Sequence, residues 1–192
     1  MNFLAHLSLA ERNRDSIIGN LMGDFRKYLS VEEIPDTVRQ GIRNHQRVDK
    51  FTDSHEVVYA LKETFSPRRR RYAGIILDVA FDHFLSVNWD RYNTEPREAF
   101  IKYSYSCLNS GLEYMPEKMQ KTVCLMIRED WLGSYRQLSG IEIAINRLSR
   151  RIRFRNDLYG AVEEIQLNYK TLEQGFYDFF PALQRHVAYV NE

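Results

Sequence analysis

The sequence predicts an all-α protein. Its apolar residues mostly follow spacings of three, four and seven rather than two, which is typical of helices that bury one face. The chain has 192 residues with only 9 Gly and 5 Pro, and it lacks the Asn-Gly pair of a tight hairpin. Because 44% of the residues are hydrophobic, a chain of this length can build one well-developed core. We therefore expect a single helical domain over residues 1–192.

The predicted helices follow from caps, proline positions and apolar spacing. Asp15 is a plausible N-cap for the second helix, Pro35 suits the first turn of the third, and Ser66-Pro67 starts a long later helix. Pro181 is expected to interrupt the last helix. The predicted spans are 2–11, 15–29, 36–51, a short helix after TDSHE to about 65, then 67–89, 95–113, 116–136, 139–152 and 157–190.

Charge and cysteine content exclude several classes of protein. The net charge is +1, so no strong overall field attracts nucleic acid or a membrane surface. Cys107 and Cys124 lack CxxC spacing and are typical of small core residues, which favours a reducing, cytoplasmic setting. The N-terminal apolar stretch has no basic lead-in and is broken by His6, which argues against a signal peptide or a membrane span.

The segment GIILDVAFDHFLSV, residues 74–87, carries charge inside an apolar helix. Asp78 and Asp82 are four residues apart and share a helix face, with His83 just round the cylinder. A buried carboxylate without a partner is costly or takes up a proton. The partner is either a metal ion or an arginine of the third helix. We favour the metal or catalytic interpretation because a buried ion pair adds little net stability.

A second polar cluster lies in NHQRVDKFTD. His45 and Asp49 are four residues apart on one helix face, and Asp53 follows one turn later if the helix continues. A helix-surface ion pair is an equally plausible interpretation of His45 and Asp49. A mixed His/Asp set without thiols suits Mn²⁺, Mg²⁺, Fe²⁺ or catalytic Zn²⁺.

Two further segments add candidates to the same half of the chain. Asp24 follows GNLMG, in which Gly19 and Gly23 leave a bare helix face where another helix can approach closely. Plain helix packing explains those glycines. His6 is more often a satisfied core histidine than a ligand, but the coincidence of several His/Asp segments favours one shared site.

Several segments together resemble the acyl carrier protein phosphodiesterase family. They are MNFLAHLSLA, GNLMGDF, GIRNHQRVDKFTD, RRYAGIILDVAFDHFLSVNW and FYDFFP, and they match in order and spacing along nearly the whole chain. The resemblance implies a cytoplasmic, Mn²⁺-dependent hydrolase with an HD-like helical bundle. Such an enzyme cleaves the phosphodiester that joins 4′-phosphopantetheine to a Ser of holo acyl carrier protein. The alternatives are an HD-like phosphohydrolase acting on a nucleotide or another small phosphodiester, and a non-enzymatic helical binding module.

The resemblance also implies which residues form the site. Two departures from the family pattern stand out: Ser8 occupies a position where some members have a second His, and the His-Asp pair of HD enzymes occurs only in reverse order. The implied metal ligands are Asp24, His45, Asp49, Asp78 and Asp82, and the implied catalytic residues are His6, His83 and Asp53. The expected ion is Mn²⁺, or another divalent cation such as Mg²⁺ or Fe²⁺.

Two arginine clusters are candidate docking surfaces. They are Arg68–Arg71 and the set from Arg147 to Arg155, and the default for either is a solvated face. Acyl carrier proteins are strongly acidic, so the resemblance gives these clusters a partner in holo acyl carrier protein. The clusters lack interleaved exposed aromatic residues, so nucleic acid is not expected, and neither is a membrane.

Overall fold

The structure, a computed structural model, describes residues 1–29 and 34–191, with side chains up to residue 188. Within these ranges no strand occurs, which confirms the predicted all-α class. The α-helices are α1 (Phe3–Ser8), α2 (Arg14–Met22), α3 (Asp36–Ser54), α4 (Glu56–Lys62), α5 (Ala73–Val87), α6 (Trp89–Tyr92), α7 (Arg97–Ser110), α8 (Glu117–Arg128), α9 (Trp131–Ser134), α10 (Leu138–Arg151), α11 (Val162–Leu167) and α12 (Tyr169–Asn191). Short 3₁₀ turns cover Gly23–Tyr28, Arg70–Tyr72 and Leu112–Tyr114.

The core is built around α5 and α12. The side chains of Phe81 and Phe84 on α5 are fully buried. Their ring centroids lie 5.1 to 6.0 Å from those of Tyr169, Phe176 and Phe179 of α12. Helix α5 also packs against α1 and α10. A helix that is apolar on most sides must be covered on most sides, so its few polar residues lie at contacts between elements or at the surface.

Helices α2 and α3 approach each other closely through glycines. A Cβ placed on Gly19 would lie 2.2 Å from the carbonyl oxygen of Val38 and 2.8 Å from the Cα of Gly41. Only glycine fits at such a distance, so the predicted close approach is confirmed. The contact brings the 3₁₀ turn that carries Asp24 against α3.

Several predicted helix boundaries are wrong, and at two of them a side-chain hydrogen bond gives the reason. Asn13, and not Asp15, caps α2, because its side chain accepts the N–H of Ser16 at 2.8 Å. Glu164 accepts the N–H of Ser66 at 2.9 Å and holds the following turn, so the helix predicted from residue 67 begins only at Ala73. The helix predicted over 116–136 ends at Arg128.

The chain leaves helical conformation at Asp130, and the interruption predicted at Pro181 does not occur. Asp130 adopts a left-handed backbone with φ 46° and caps α9 by accepting the N–H of Gly133. Helix α12, by contrast, continues through Pro181. Buried Phe179 and Phe180 before the proline and Leu183 after it bind this helix to the core on both sides, and we attribute its continuity to that packing.

No helix in the described ranges combines the length and the apolar character that a bilayer span needs.

Candidate metal centre

Two histidines and one aspartate meet between α1 and α3. The donor atoms of His6, His45 and Asp49 all lie within 4.8 Å of one another. His6 Nε2 is 3.0 Å from Asp49 Oδ1, and His45 Nε2 is 3.1 Å from Asp49 Oδ2. One carboxylate is therefore flanked by two imidazoles. We call these three residues the His/Asp cluster.

The local sequence explains why the three side chains converge. His45 and Asp49 are one turn apart on the long helix α3, so they share a face. The ring of His45 occupies space that Gly23 leaves open, since a Cβ there would lie 2.2 Å from His45 Cγ. His6 sits on the short helix α1, and its ring stacks on that of His45 with centroids 3.8 Å apart.

Two more carboxylates border the cluster. Asp24 Oδ1 is 4.0 Å from His45 Nε2. Asp78 Oδ1 is 2.9 Å from the amino group of Met1, and the same amino group is 3.5 Å from Asp49 Oδ1. The imidazoles are almost completely buried, whereas the side chains of these aspartates are 36 to 43% exposed. The cluster therefore has a nitrogen-rich interior and an oxygen-rich opening to solvent.

Burial and neighbouring charges shift the pKa values of His6, Asp49 and the Met1 amino group. Burial lowers the pKa of His6 to about 3, although the neighbouring Asp49 raises it, so the ring is neutral near pH 7. Burial opposes ionisation of Asp49, but the adjacent imidazoles of His45 and His6 hold its pKa below the usual range. Burial also lowers the pKa of the Met1 amino group, but Asp78 and Asp49 outweigh it and raise that pKa to about 10. Asp49 and Asp78 thus attract the positive charge of the amino group.

The donor set fits a divalent cation. Both ring nitrogens of His6 and Nδ1 of His45 are buried without a well-directed hydrogen bond to any described residue. A neutral imidazole with a free lone pair is the form that binds metals. Ligand atoms held at about 2.1 Å from one octahedral ion lie about 3 Å apart when adjacent, and the two nitrogen-to-oxygen separations match that spacing.

The structure does not bring three of the predicted site residues into the cluster. Asp82 caps α1, since it accepts the N–H groups of Leu4 and Ala5 at 2.9 Å each. His83 binds the Tyr135 carbonyl through Nδ1 and the Tyr169 hydroxyl through Nε2, each at 3.0 Å.

Asp53 also lies apart from the cluster. Its side chain is 79% exposed and faces Lys62 at 3.9 Å. It occurs one turn beyond Asp49 on α3, as the sequence predicted, but its carboxylate points to solvent.

Sequence reasoning missed two features of the site. Gly23 leaves the space that the His45 ring occupies, although its spacing from Gly19 indicated only helix packing. The amino group of Met1 bridges Asp78 and Asp49, and no sequence pattern predicts that contact. The arginine partner considered for Asp82 is replaced by main-chain amides and by the side-chain amide of Asn2, 3.0 Å away.

The two arginine clusters differ in how far their charges are already paired. Arg68 binds Asp157 at 2.6 Å, Arg69 is buried beside Glu164, and Arg70 faces Glu63 at 3.3 Å. In the second cluster Arg147 binds Glu129. The others are exposed and form no ion pair with any described residue: Arg150, Arg151, Arg153 and Arg155.

Comparison with known proteins decides the family. The family described as "Acyl carrier protein phosphodiesterase" matches residues 1–183. The chain belongs to the acyl carrier protein phosphodiesterase family. That name denotes a phosphoric diester hydrolase, so the resemblance seen in the sequence is confirmed.

Members of the acyl carrier protein phosphodiesterase family similar to this chain occur in several bacteria. The one from Photorhabdus laumondii is 38% identical over 182 residues, 94% of this chain and 92% of the relative. Those from Enterobacter sp. and Salmonella agona are 35% and 33% identical, and cover 95% and 98% of both partners. No solved structure matches the chain.

Proposed function

We propose that the protein is a metal-dependent phosphodiesterase that removes 4′-phosphopantetheine from the Ser of holo acyl carrier protein. The observation that carries the proposal is the His/Asp cluster, in which His6, His45 and Asp49 converge within 4.8 Å in a member of the acyl carrier protein phosphodiesterase family. The products are the apo carrier protein and free phosphopantetheine. The two cysteines are free, which agrees with the cytoplasmic setting that the proposal requires.

The site needs a cation to handle an anionic substrate. His6, His45 and Asp49, with Asp24 or Asp78, would hold a divalent ion such as Mn²⁺, which would supply positive charge for the phosphate and lower the pKa of a bound water. The chain itself supplies orientation. The stacked imidazoles are fixed by burial, and Gly23 allows the ring of His45 to lie against the 3₁₀ turn.

The partly exposed carboxylates of Asp24 and Asp78 lie where they can orient the attacking water. Asp24 is 43% exposed and lies 4.0 Å from His45 Nε2, so its carboxylate reaches both the cluster and the solvent. We assign it the task of orienting a water molecule by accepting a hydrogen bond, as a general base must. Asp78, 36% exposed, borders the same opening on the side of α5.

The exposed arginines at the end of α10 suit an acidic protein substrate. Arg150, Arg151, Arg153 and Arg155 present charges that no described acid neutralises. Such a patch steers a negative partner and fixes its orientation. The proposal therefore places docking at Arg147–Arg155 in preference to Arg68–Arg71, whose charges are largely paired.

Mass spectrometry of the carrier protein tests the proposed function. Holo acyl carrier protein is incubated with the protein and Mn²⁺, and loss of the phosphopantetheine mass is followed with time. We expect complete conversion with the wild type, none with Asp49→Asn, and full activity with Asp36→Asn, an exposed acid on the same helix. Cleavage of cyclic nucleotides with no change in the carrier protein would favour the small-diester alternative.

A further inference from the structure

An apolar groove lies between α1, α8 and α10. Its floor is formed by the side chains of Phe3, Leu125, Trp131, Ile143, Ala144 and Leu148, and it encloses about 300 Å³. Its rim carries Lys118, Arg147, Arg150 and Arg151, and no described acidic residue lines it. We call this feature the α10 groove. A concave apolar floor with a few polar groups and a basic edge is typical of a small-ligand site.

The first residues of the chain connect the wall of the α10 groove to the His/Asp cluster. Asn2 and Phe3 line the groove, and the preceding residue, Met1, contacts Asp78 at 2.9 Å and Asp49 at 3.5 Å. Consecutive Cα atoms are about 3.8 Å apart, so one residue separates the groove wall from the cluster. The groove and the cluster are therefore close enough for one extended substrate to contact both.

The groove wall is held in place by contacts that do not depend on a ligand. The side-chain amide of Asn2 donates to Asp82 at 3.0 Å, and the ring of Phe3 stacks on Trp131 with centroids 6.1 Å apart. Ile143, on the apolar floor, is 52% exposed. A preformed site that leaves a large apolar side chain in water gains free energy when a ligand covers it.

We propose that the α10 groove binds the pantetheine arm of the substrate, an inference that rests on the proposed function. The arm is a neutral chain of methyl, methylene and amide groups, tethered at one end to an anionic phosphate. Its apolar parts match the floor, its amides can reach Asn2 and Ser134, and the basic rim suits the phosphate and an acidic carrier surface. A volume of about 300 Å³ accommodates such a chain and excludes a helix of a partner protein.

Kinetics on two substrates separate the groove from the chemistry. Ala144→Trp fills the groove, and Ile143→Asp places a charge at an exposed position on its floor, where folding is not at risk. We expect each to raise KM for holo carrier protein roughly tenfold or more, equivalent to about 1.4 kcal/mol of binding. Cleavage of bis(p-nitrophenyl) phosphate, which has no arm, should be unchanged. Ala60→Trp, on the exposed face of α4, is the matched control.

Direct binding of free pantetheine makes the inference independent of turnover. Trp131 lines the groove, so pantetheine should change its fluorescence in a saturable way, and Ile143→Asp should abolish the change. Binding without any cleavage of holo carrier protein would support the groove and contradict the proposed function. Cleavage with KM unaffected by either variant, or a fluorescence response to fatty acids and none to pantetheine, would overturn the inference.

Discussion

The imidazole rings of His6 and His45 lie face to face, with centroids 3.8 Å apart and planes inclined by 17°. Each ring also places Nε2 about 3 Å from one oxygen of the same carboxylate, that of Asp49. Two positively charged rings at this distance would repel each other, and burial lowers the pKa of His6 to about 3, so its ring is neutral near pH 7. Two imidazoles that converge on one carboxylate are candidate ligands for a cation.

Metal should stabilise the fold through this ligand set. A ligand present at 100 times its Kd adds about 2.7 kcal/mol. For a chain of this size that shifts the melting temperature by roughly 5 to 10 °C. We expect Mn²⁺ to produce such a shift in calorimetry of the wild type and a chelator to reverse it.

Histidine variants identify which residues carry the effect of the metal. His45→Ala should lose the shift, whereas His186→Gln, which alters a ring stacked on Phe51, should keep it. An equal Mn²⁺ shift in both variants would contradict the assignment of His45 as a ligand.

Gly23 should be irreplaceable for metal binding. In Gly23→Ala the new methyl group would lie 2.2 Å from His45 Cγ, so the ring must move. We expect Mn²⁺ affinity, measured by isothermal titration, to fall at least about tenfold, which corresponds to 1.4 kcal/mol. Gly74→Ala is the matched control, because its methyl group meets only the flexible end of Lys62 at 3.6 Å or more. Unchanged affinity in Gly23→Ala would show that His45 is not a ligand in this conformation.

Asp82 should support the site from a distance. An amide at this position keeps one acceptor where two N–H groups, those of Leu4 and Ala5, now bind, so Asp82→Asn should cost about 1 to 3 kcal/mol in urea unfolding. The loosened α1 carries His6, so Mn²⁺ affinity should fall as well. Glu164→Gln also removes a largely buried carboxylate that accepts a backbone N–H, and it should lower stability without changing Mn²⁺ affinity.

His83 should make the stability of the protein depend on pH. Burial lowers its pKa, although the bond to the Tyr135 carbonyl raises it, and protonation of Nε2 would remove the acceptor for the Tyr169 hydroxyl. Because the unfolded chain binds the proton more readily, stability is lost as the pH falls below about 6.5. One such group contributes a slope of at most about 1.4 kcal/mol per pH unit.

Chemical denaturation in the presence of a chelator checks this pH dependence. The free energy of unfolding is compared between pH 5 and pH 7 for the wild type and His83→Gln. The variant should show a shallower slope and retain Mn²⁺ binding. An unchanged slope would mean that His83 accepts the proton without cost in the folded state.

Charge reversal should distinguish the two arginine clusters. Arg150→Glu combined with Arg151→Glu should raise KM for holo carrier protein several-fold, because these charges are exposed and unpaired within the described ranges. Arg68→Glu should raise KM much less, since Arg68 already binds Asp157. The difference should shrink as ionic strength rises. An equal effect of both changes would argue that docking does not use the α10 end.

The sequence predicted the elements of the site better than their arrangement. The all-α class and the pair His45 and Asp49 followed from periodicity, because spacing alone fixes which side chains share a helix face. The role of Asp82 did not, since capping of α1 depends on a residue 77 positions further along the chain. Such a tertiary contact leaves no mark on local spacing.

Helix boundaries show the same limit. The break at Asp130 depends on a left-handed backbone, which Asp adopts only occasionally, and the continuity of α12 at Pro181 depends on aromatic packing around it. Local rules predict the opposite, a break at Pro181 and no break at Asp130. The predicted kinship with HD-type enzymes stays a prediction, as does the identity of the metal.

The most direct test of the central claim, that the first half of the chain encloses a cation, is an anomalous difference map from crystals containing Mn²⁺. We expect one peak within about 2.0 to 2.3 Å of His6 Nε2, His45 Nε2 and an oxygen of Asp49. A map with no peak there, or with manganese bound only at other residues, would contradict it.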